Sequence, residues 1–389
     1  KLGMDPLELR KKNESSPVRA TQYDPGAKAI GWERRNAKAG DMSTGQWSGG
    51  ATDSLRRDDE GGEGGRGAAS PPQRKKRGIG MANGNWYVFV APNVKAQVKI
   101  HRDGSVELLS GAQDIGTGFR TAIAVLAAEE LGIAPTDITS RVGDTQYPEG
   151  NASGGSITTN SVGPAVRLAA HNAKVKLFEV AAKALEADAS ELKSEGGKVF
   201  VATDPGRSLT FKEAASKMPG EVIDVTVDRK KQYETFRGDI AGTQFAEVEV
   251  DTETGEVRVL KMVSVNDCGF PVNPLTAKNQ VIGAMIQGAS WALLEDRIMD
   301  PMVGTMVNPD LEAYKILSPR DMFEAESILT PQANLGNNTS VAGIGEPPLV
   351  PTLGAIANAI YNATGARVRE LPMTPDRVLA ALAEAEGRA

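Results

Sequence analysis

Hydrophobic and polar positions alternate with two different periods along the chain, and the change of period predicts the elements. Apolar residues at every second position, bounded by turn residues, predict strands; these strands are 86–90, 96–100, 106–109, 245–250, 257–265 and 368–371. Apolar residues at helical spacing predict helices over 5–13, 27–39, 119–131, 162–185, 274–294 and 353–362, and a last helix from Pro375. The order strand, turn, strand, loop, helix occurs twice. We therefore expect an α+β fold of two related lobes, in which mixed sheets pack with helices beside a shared crevice.

The same pattern divides the chain into four predicted parts: 1–40, a helical tail of a preceding domain; 41–77, a flexible low-complexity linker; 78–237, the first lobe; and 238–389, the second lobe. The linker prediction rests on the glycine-rich run 61–67, since such a composition buries too little apolar surface to offset chain entropy. The basic cluster Arg74–Arg77 is interpreted as a solvated spacer. Because the chain begins with Lys1, we expect it to continue a longer polypeptide.

Composition narrows the possible functions. The 389 residues carry a net charge of −6, which argues against a general nucleic-acid-binding role. No apolar stretch has the length of a membrane span. The single cysteine, Cys268, and two histidines, His101 and His171, are too few for a disulfide or a Cys/His metal site within this chain. A metal would therefore have to arrive inside a cofactor, and Cys268 is expected to be a small buried residue.

Glu346 is the strongest catalytic candidate in the sequence. It lies between the flexible residues Gly343 and Gly345 and the stiff pair Pro347–Pro348, which should fix the direction of its carboxylate. Apolar neighbours predict partial desolvation, which suits a general base. The alternative is an exposed carboxylate in a turn before a helix.

Small or hydroxyl residues precede three predicted helices, at Gly116–Gly118, Gly155–Asn160 and Asn273–Pro274. Unpaired N–H groups at a helix start favour an anion such as phosphate, although ordinary caps and turns have the same composition. Gln280 and Gln287 share one helix face, and their amides suit the edge of a pterin ring; an exposed polar stripe is the alternative. Together with Glu346, these loops favour a cofactor that carries phosphate groups.

Five motifs carry a resemblance to a known family: Gly111–Gly118; Gly154–Ser156 with Thr158 and Thr159; Asn266–Gly269 leading to Asn273–Pro274; Gln280–Gly288; and Gly345–Pro348. In these motifs the chain resembles the C-terminal half of the molybdenum-binding subunit of the xanthine dehydrogenase and aldehyde oxidase family, especially bacterial aldehyde oxidoreductases. The resemblance covers 1–13 and 78–385. The Phe-Gly-Gly and Arg-Gly-Phe-Gly motifs of the family's preceding half do not occur, so that half is expected elsewhere.

The resemblance implies a site and a cofactor. Glu346 would be the base that deprotonates a molybdenum-bound hydroxide, which then attacks the substrate carbon. The cofactor would be molybdopterin with molybdenum, in its cytosine dinucleotide form, and the metal would be held through the pterin rather than by a side chain. The residues that match cofactor-binding positions are Gln113, Gly116, Thr117, Gly118, Gly155, Ser156, Thr158, Thr159, Gln280 and Gly345.

The implied activity is oxidation of aldehydes to carboxylic acids with water as the oxygen source. One alternative is hydroxylation of purines or other N-heterocycles, as in xanthine dehydrogenase; another is a non-catalytic cofactor-binding or assembly half-subunit. A Ser or Cys hydrolase fits poorly because only His101 and His171 could serve as its base. The expected partners are an iron–sulfur subunit with a 2Fe-2S cluster, an FAD-binding subunit and the N-terminal half of the molybdenum subunit. The expected location is the cytoplasm, or the periplasm if a partner carries an export signal.

Overall fold

The computed structural model describes residues 2–47, 74–229, 239–330 and 337–387. Its strands are β1 (Lys75–Tyr87), β2 (Lys95–His101), β3 (Val106–Ser110), β4 (Ile138–Val142), β5 (Leu192–Glu195), β6 (Lys198–Val201), β7 (Asp204–Thr210), β8 (Val222–Asp228), β9 (Asp239–Asp251), β10 (Val257–Asn266) and β11 (Glu324–Leu329). Its helices are α1 (Pro6–Lys12), α2 (Pro17–Ala20), α3 (Tyr23–Ile30), α4 (Phe119–Leu131), α5 (Thr158–Leu185), α6 (Phe211–Ser216), α7 (Pro274–Leu293), α8 (Thr352–Thr364) and α9 (Pro375–Ala385).

The strands form two mixed sheets with the orders β1-β9-β10-β11 and β4-β3-β2-β8 and an antiparallel sheet with the order β5-β6-β7. Pairing is antiparallel except between β3 and β4 and between β10 and β11, which are parallel. Helices α4 and α5 pack against the sheet that contains β2, while α8 packs against β1 and β9. This architecture confirms the predicted α+β class. Within the described residues, no helix combines the length and apolarity needed to cross a bilayer.

Strand β1 belongs to the sheet of the second half, although its residues were predicted in the linker and the first lobe. It pairs with β9 along its whole length. A Cβ added at Gly80 would lie 2.1 Å from the backbone nitrogen of Ala359 in α8, so helix and strand backbones meet directly at this glycine. The division between residues 237 and 238 remains a prediction. Strand β1 precedes this division in the chain but belongs to the sheet formed by strands that follow it.

The predicted strand 86–90 was misplaced, because β1 starts at Lys75 and ends at Tyr87. The interpretation of the basic cluster as a spacer was also wrong. Arg74 forms an ion pair with Asp251 (2.8 Å) and Arg77 with Glu249 (3.0 Å), so β1 starts with charges that are matched by β9. Of the other residues in the predicted linker, 41–47 are described and include a 3-10 turn at Met42–Thr44, and 48–73 lie outside the described residues.

Three further predictions need correction. Helix α3 ends before Gly31, whose left-handed φ of 73° closes it, so the helix predicted over 27–39 is shorter. Helix α5 begins at Thr158, which places Pro164 inside the helix rather than in its first turn. Residues 368–371 are a loop instead of a strand. The side chain of Val368 packs, partly buried, against the core that contains residues of α7 and α8, but its backbone does not join a sheet.

The remaining predicted helices are confirmed to within two residues of their limits. Asp5 caps α1 by accepting from the N–H of Leu7 at 2.8 Å, as its position before Pro6 predicted. Gly365, with φ 79°, closes α8 as expected. The starts of α4, α5 and α7 matter for function, because these three helices begin at the same crevice.

Candidate functional site

A cavity of about 360 Å³ lies between the starts of α4, α5 and α7 and the segment 341–346. The predicted site residues that line it are Thr117, Gly118, Ser156, Thr158, Thr159, Gln280, Gly345 and Glu346. Residues from loops more than 200 positions apart therefore meet in one place. The shared crevice expected between the two halves of the chain is present.

Gln113, Gly116 and Gly155 are predicted site residues that do not line the cavity but shape its loops. The Gln113 carbonyl oxygens, in its backbone and side chain, both accept from the hydroxyl of Ser153. The carbonyl of Gly155 accepts from the indole N–H of Trp86 at 3.2 Å. Gly116 takes a φ of 103°, a conformation that glycine adopts without strain.

Glu346 is held in the cavity by Ser156. The Ser156 hydroxyl donates to Oε2 of Glu346 at 2.9 Å and accepts from the Glu346 N–H at 2.8 Å. The two loops touch closely, because a Cβ added at Gly343 would lie 1.6 Å from the carbonyl oxygen of Ser156. Glycine is therefore required at that position. The carboxylate is exposed, so the predicted partial desolvation is wrong for the chain by itself.

Gln280 contacts the same loop from α7. Its Nε2 donates to the carbonyl oxygen of Gly345 at 2.7 Å. Gln287, two turns further along α7, also lines the cavity, so the prediction that the two glutamines share a face is confirmed. Gln280 is half-buried, whereas Gln287 is exposed.

The predicted anion site before α4 is already filled by a side chain of the protein. The carboxylate of Asp114 accepts from the N–H groups of Gly116 (2.9 Å), Gly118 (3.3 Å) and Arg120 (2.9 Å). Burial opposes ionisation of Asp114, but the three N–H donors outweigh it and lower the pKa of that carboxyl. The expectation of unpaired donors at this loop was therefore wrong.

The other two helix starts differ from each other. Asn273 caps α7, because its side-chain oxygen accepts from the N–H groups of Leu275 (3.1 Å) and Thr276 (3.3 Å). Helix α5 starts after Ile157, which provides no side-chain cap. Only α5, among these three starts, keeps the open first turn that the sequence suggested for all of them.

Sequence reasoning placed Asn273 at the site but did not name Cys268 and Phe270, which precede it in the loop after β10, as site residues. Cys268, Phe270 and Asn273 line the cavity, and the carbonyl of Cys268 accepts from the N–H of Ala342 at 2.8 Å. Burial raises the pKa of the Cys268 thiol to about 12, which leaves it as the inert buried residue that was predicted. The quoted motif Asn266–Gly269 was the available signal for this loop.

The lining suits a polar organic cofactor. It provides hydroxyls and amides, which can donate and accept with a pterin-like ring edge. Near the open end of α5, the side-chain oxygen of Asn151 is buried without a hydrogen-bond partner, and Asn151 Nδ2 lies 3.4 Å from the hydroxyl of Thr158. Among the described residues, no group of three or more His, Cys, Asp or Glu side chains is placed to hold a metal ion.

Comparison with known proteins gives a consistent result. The family profile described as molybdopterin cofactor-binding domain matches residues 60–323. The aldehyde oxidoreductase molybdenum-binding subunit PaoC of Escherichia coli K12 is 32% identical over 97% of this chain and 48% of its own length. The xanthine dehydrogenase molybdenum-binding subunit of Escherichia coli O157:H7 is 28% identical over 97% of the chain and 49% of its own length. The chain thus spans about half the length of these relatives.

Solved structures share the fold. Quinoline 2-oxidoreductase from Pseudomonas putida 86 superposes with a TM-score of 0.80 at 20% identity, over 98% of this chain and 50% of that one. The aldehyde oxidoreductase from Desulfovibrio desulfuricans gives a TM-score of 0.69 at 24% identity, over 98% of this chain and 38% of that one. At this identity the likeness concerns the fold alone.

Proposed function

Because the chain belongs to the molybdopterin cofactor-binding domain family, we propose that it acts in a molybdenum hydroxylase that oxidises aldehydes to carboxylic acids with water as the oxygen source. The observation that carries the proposal is the position of Glu346, which lines the cavity and whose carboxylate accepts a hydrogen bond from Ser156. The resemblance to the C-terminal half of the family's molybdenum-binding subunit is confirmed by the relatives.

Glu346 is the general base of the proposed reaction. An ionised carboxylate accepts a proton from the water-derived oxygen as that oxygen attacks the substrate carbon, and it holds the proton at Oε1 or Oε2. Ser156 keeps Oε2 directed into the cavity, since its hydroxyl donates to that atom at 2.9 Å. In this proposal, Glu346 and Ser156 supply the proton transfer and its direction.

The cofactor supplies the two-electron redox chemistry when bound. Thr117, Thr158, Thr159 and Gln280 would hold its pterin and phosphate groups, because they line the cavity with hydroxyls and amides. Gln113, Gly116, Gly118, Gly155 and Gly345 would fix the loops around it. A cytosine dinucleotide form is proposed from the resemblance to bacterial aldehyde oxidoreductases.

The electrons need further carriers. A chain with one cysteine cannot hold a 2Fe-2S cluster by itself. We therefore propose an iron–sulfur subunit and an FAD-binding subunit as partners, together with polypeptide equivalent to the other half of the relatives. The complex would reside in the cytoplasm, or in the periplasm if one partner carries an export signal. Iron and flavin analysis of the native complex, after cell fractionation, tests both statements.

Metal analysis and substrate assays of the complete complex test the activity. We expect molybdenum with a pterin dinucleotide, and electron transfer from aromatic aldehydes that exceeds that from hypoxanthine. Turnover of hypoxanthine alone would favour the purine alternative, which the xanthine dehydrogenase relative supports. Properly assembled complex without molybdenum or pterin would contradict the enzyme and favour a scaffold half-subunit.

A further inference from the structure

Two fully buried polar side chains lie directly behind the Glu346 loop. Gln244 on β9 and Thr352 at the start of α8 each have 0% of their surface exposed. The Thr352 hydroxyl donates to Oε1 of Gln244 at 2.8 Å. The Nε2 of Gln244 donates to the carbonyl oxygen of Pro348. A buried amide is costly unless it is bonded on both sides, so this arrangement links β9, α8 and Pro348 firmly.

The link leads to Glu346 through a short turn. Pro348 belongs to the 3-10 helix Pro347–Leu349, and Glu346 is the residue immediately before it. The N–H of Leu349 donates to the carbonyl of Glu346 at 2.9 Å. Because Pro347 and Pro348 have no N–H groups, the turn has few backbone donors of its own. The hydrogen bond that the Pro348 carbonyl accepts therefore helps to fix the orientation of this turn.

Side chains in the cavity hold the same loop from the opposite side. Ser156 binds the carboxylate and the N–H of Glu346, and Gln280 binds the carbonyl of Gly345. These groups lie in the cavity and contact the loop before Glu346 or Glu346 itself. From the side of the core, Gln244 binds the carbonyl of Pro348 in the loop after Glu346, and the Thr352 hydroxyl also lies 3.4 Å from that carbonyl oxygen.

We propose that Gln244, oriented by Thr352, is a positioning residue that sets how far the carboxylate of Glu346 extends into the cavity. The inference rests on the proposed role of Glu346 as the base. A shift of about 1 Å in a reacting group can reduce rate about a hundredfold. Loosening the carbonyl of Pro348 would permit such a shift of Glu346 without removing any other side chain that lines the cavity.

The test is Gln244→Met in the complete, cofactor-loaded complex. Methionine keeps the length and apolar volume of the side chain but cannot bind the Pro348 carbonyl. We expect kcat to fall about tenfold to a hundredfold, with KM close to the parent value and unchanged molybdenum and pterin content.

Gln22→Met is the matched control. Gln22 is also 0% exposed, donates to the carbonyl of Ala241 on β9 at 3.0 Å and accepts from the hydroxyl of Thr243 at 3.2 Å. Like Gln244, it donates to a backbone carbonyl and accepts from a threonine hydroxyl, but its partners are on β9 and not in the Glu346 loop. We expect it to lower stability about as much as Gln244→Met but to leave kcat within about twofold of the parent, since nothing it contacts touches Glu346.

Two further readouts separate positioning from a purely structural role. Hydrogen–deuterium exchange should increase over 346–352 in Gln244→Met and not in Gln22→Met. In a Glu346→Gln background, Gln244→Met should cause no additional loss of turnover, because the group it positions is no longer a base. If Gln244→Met does not assemble, Thr352→Val should reproduce the kcat loss and Thr352→Ser, which keeps the hydroxyl, should restore it.

The outcomes distinguish the inference from the function it rests on. Turnover that survives Glu346→Gln would contradict the proposed function. Loss of turnover in Glu346→Gln, combined with equal kcat in the Gln244→Met and Gln22→Met complexes, would overturn the positioning role alone. A Gln244→Met loss that adds fully to that of Glu346→Gln would overturn it as well.

Discussion

At the scale of single residues, Ser156 gives the carboxylate of Glu346 its direction. Its hydroxyl donates to Oε2 and accepts from the backbone N–H of the same glutamate. Its own backbone has a φ of 60°, a left-handed conformation that is unfavourable for serine. A residue held in such a conformation by close contact with Gly343 places its hydroxyl within narrow limits.

Ser156→Ala removes this contact and should lower turnover. A hydrogen bond to a charged group contributes about 1.5–3 kcal/mol, and the lower end applies to an exposed carboxylate, so we expect a roughly tenfold loss of kcat. Molybdenum content should persist. The control is Ser105→Ala, which removes a similar serine–carboxylate bond to Asp103 (2.7 Å) in a remote hairpin. Equal turnover in the two variant complexes would argue against the role of Ser156.

The sequence identified Glu346 because flexible glycines before it and stiff prolines after it should fix the direction of its carboxylate, and because the chain resembles the family around it. It did not identify Asp114 as the occupant of the α4 N-terminus, since an aspartate six residues before Arg120 has no short-range pattern that marks it as a cap. Gln244 was also missed, because within a strand pattern a buried amide with partners on two distant elements looks like any outward-facing polar residue.

At the scale of elements, the approach of α7 to α8 depends on a glycine. A Cβ added at Gly288 would lie 2.5 Å from the Cβ of Thr352, whereas a Cβ at Gly283 on the same helix would meet nothing within 4 Å. The two positions share helical backbone and differ in their surroundings. Alanine substitutions at the two positions therefore distinguish the effect of helix propensity from that of close packing.

Gly283→Ala and Gly288→Ala should change stability in opposite directions. Alanine favours a helix over glycine by about 0.8–1 kcal/mol, so Gly283→Ala should raise the melting temperature. Overpacking costs about 1–3 kcal/mol, so Gly288→Ala should lower it, and its displacement of Thr352 should also reduce turnover. Thermal unfolding of both variants gives the measurement; a stabilised Gly288→Ala would show that the two helices pack more loosely than the structure indicates.

Helices were predicted more closely than strands. Caps such as Asp5 and Gly365 mark helix ends locally, whereas sheet membership depends on partners far along the chain. Strand β1 shows the difference: its alternation is weakened by Gly78, Gly80 and Gly84, which are selected by contact with α8 and its preceding turn. That contact joins segments nearly 280 residues apart, and no window of the sequence contains both.

At the scale of the whole molecule, Arg74 and Asp251 fasten the start of β1 to the end of β9. Their 2.8 Å ion pair joins segments 177 positions apart. The guanidinium of Arg74, with the N–H groups of Thr254 and Glu253, lowers the pKa of Asp251 from 3.8 to about 2. The ionised form of Asp251 is therefore more favourable in the native state than in the unfolded chain.

Asp251→Asn should show the pH dependence of this contact. Because the native pKa is depressed, the carboxylate stabilises the fold above the ordinary value of 3.8 and loses this effect as pH falls through about 2. We expect the variant to melt about 2–4 °C below the parent at neutral pH, with the difference shrinking between pH 4 and pH 2. A difference independent of pH would contradict the assignment to the ionised Asp251.

At this scale, the proposed function also involves polypeptide equivalent to the other half of the relatives. The chain spans about half the length of its relatives, and Glu346 is exposed in the cavity. Desolvation of the carboxylate, predicted from its apolar neighbours, would require additional polypeptide over the cavity. Substrate selectivity would then depend largely on that polypeptide.

The central claim, that Glu346 is the general base, is tested most directly by rapid-mixing measurement of metal reduction by an aromatic aldehyde in the Glu346→Gln complex. Glutamine keeps the size of the side chain and its contact with Ser156 but cannot accept the proton. We predict unchanged molybdenum and pterin content, a melting temperature close to the parent value, and reduction slowed about a hundredfold to ten-thousandfold. Reduction within a few-fold of the parent rate, in fully loaded complex, would contradict the account.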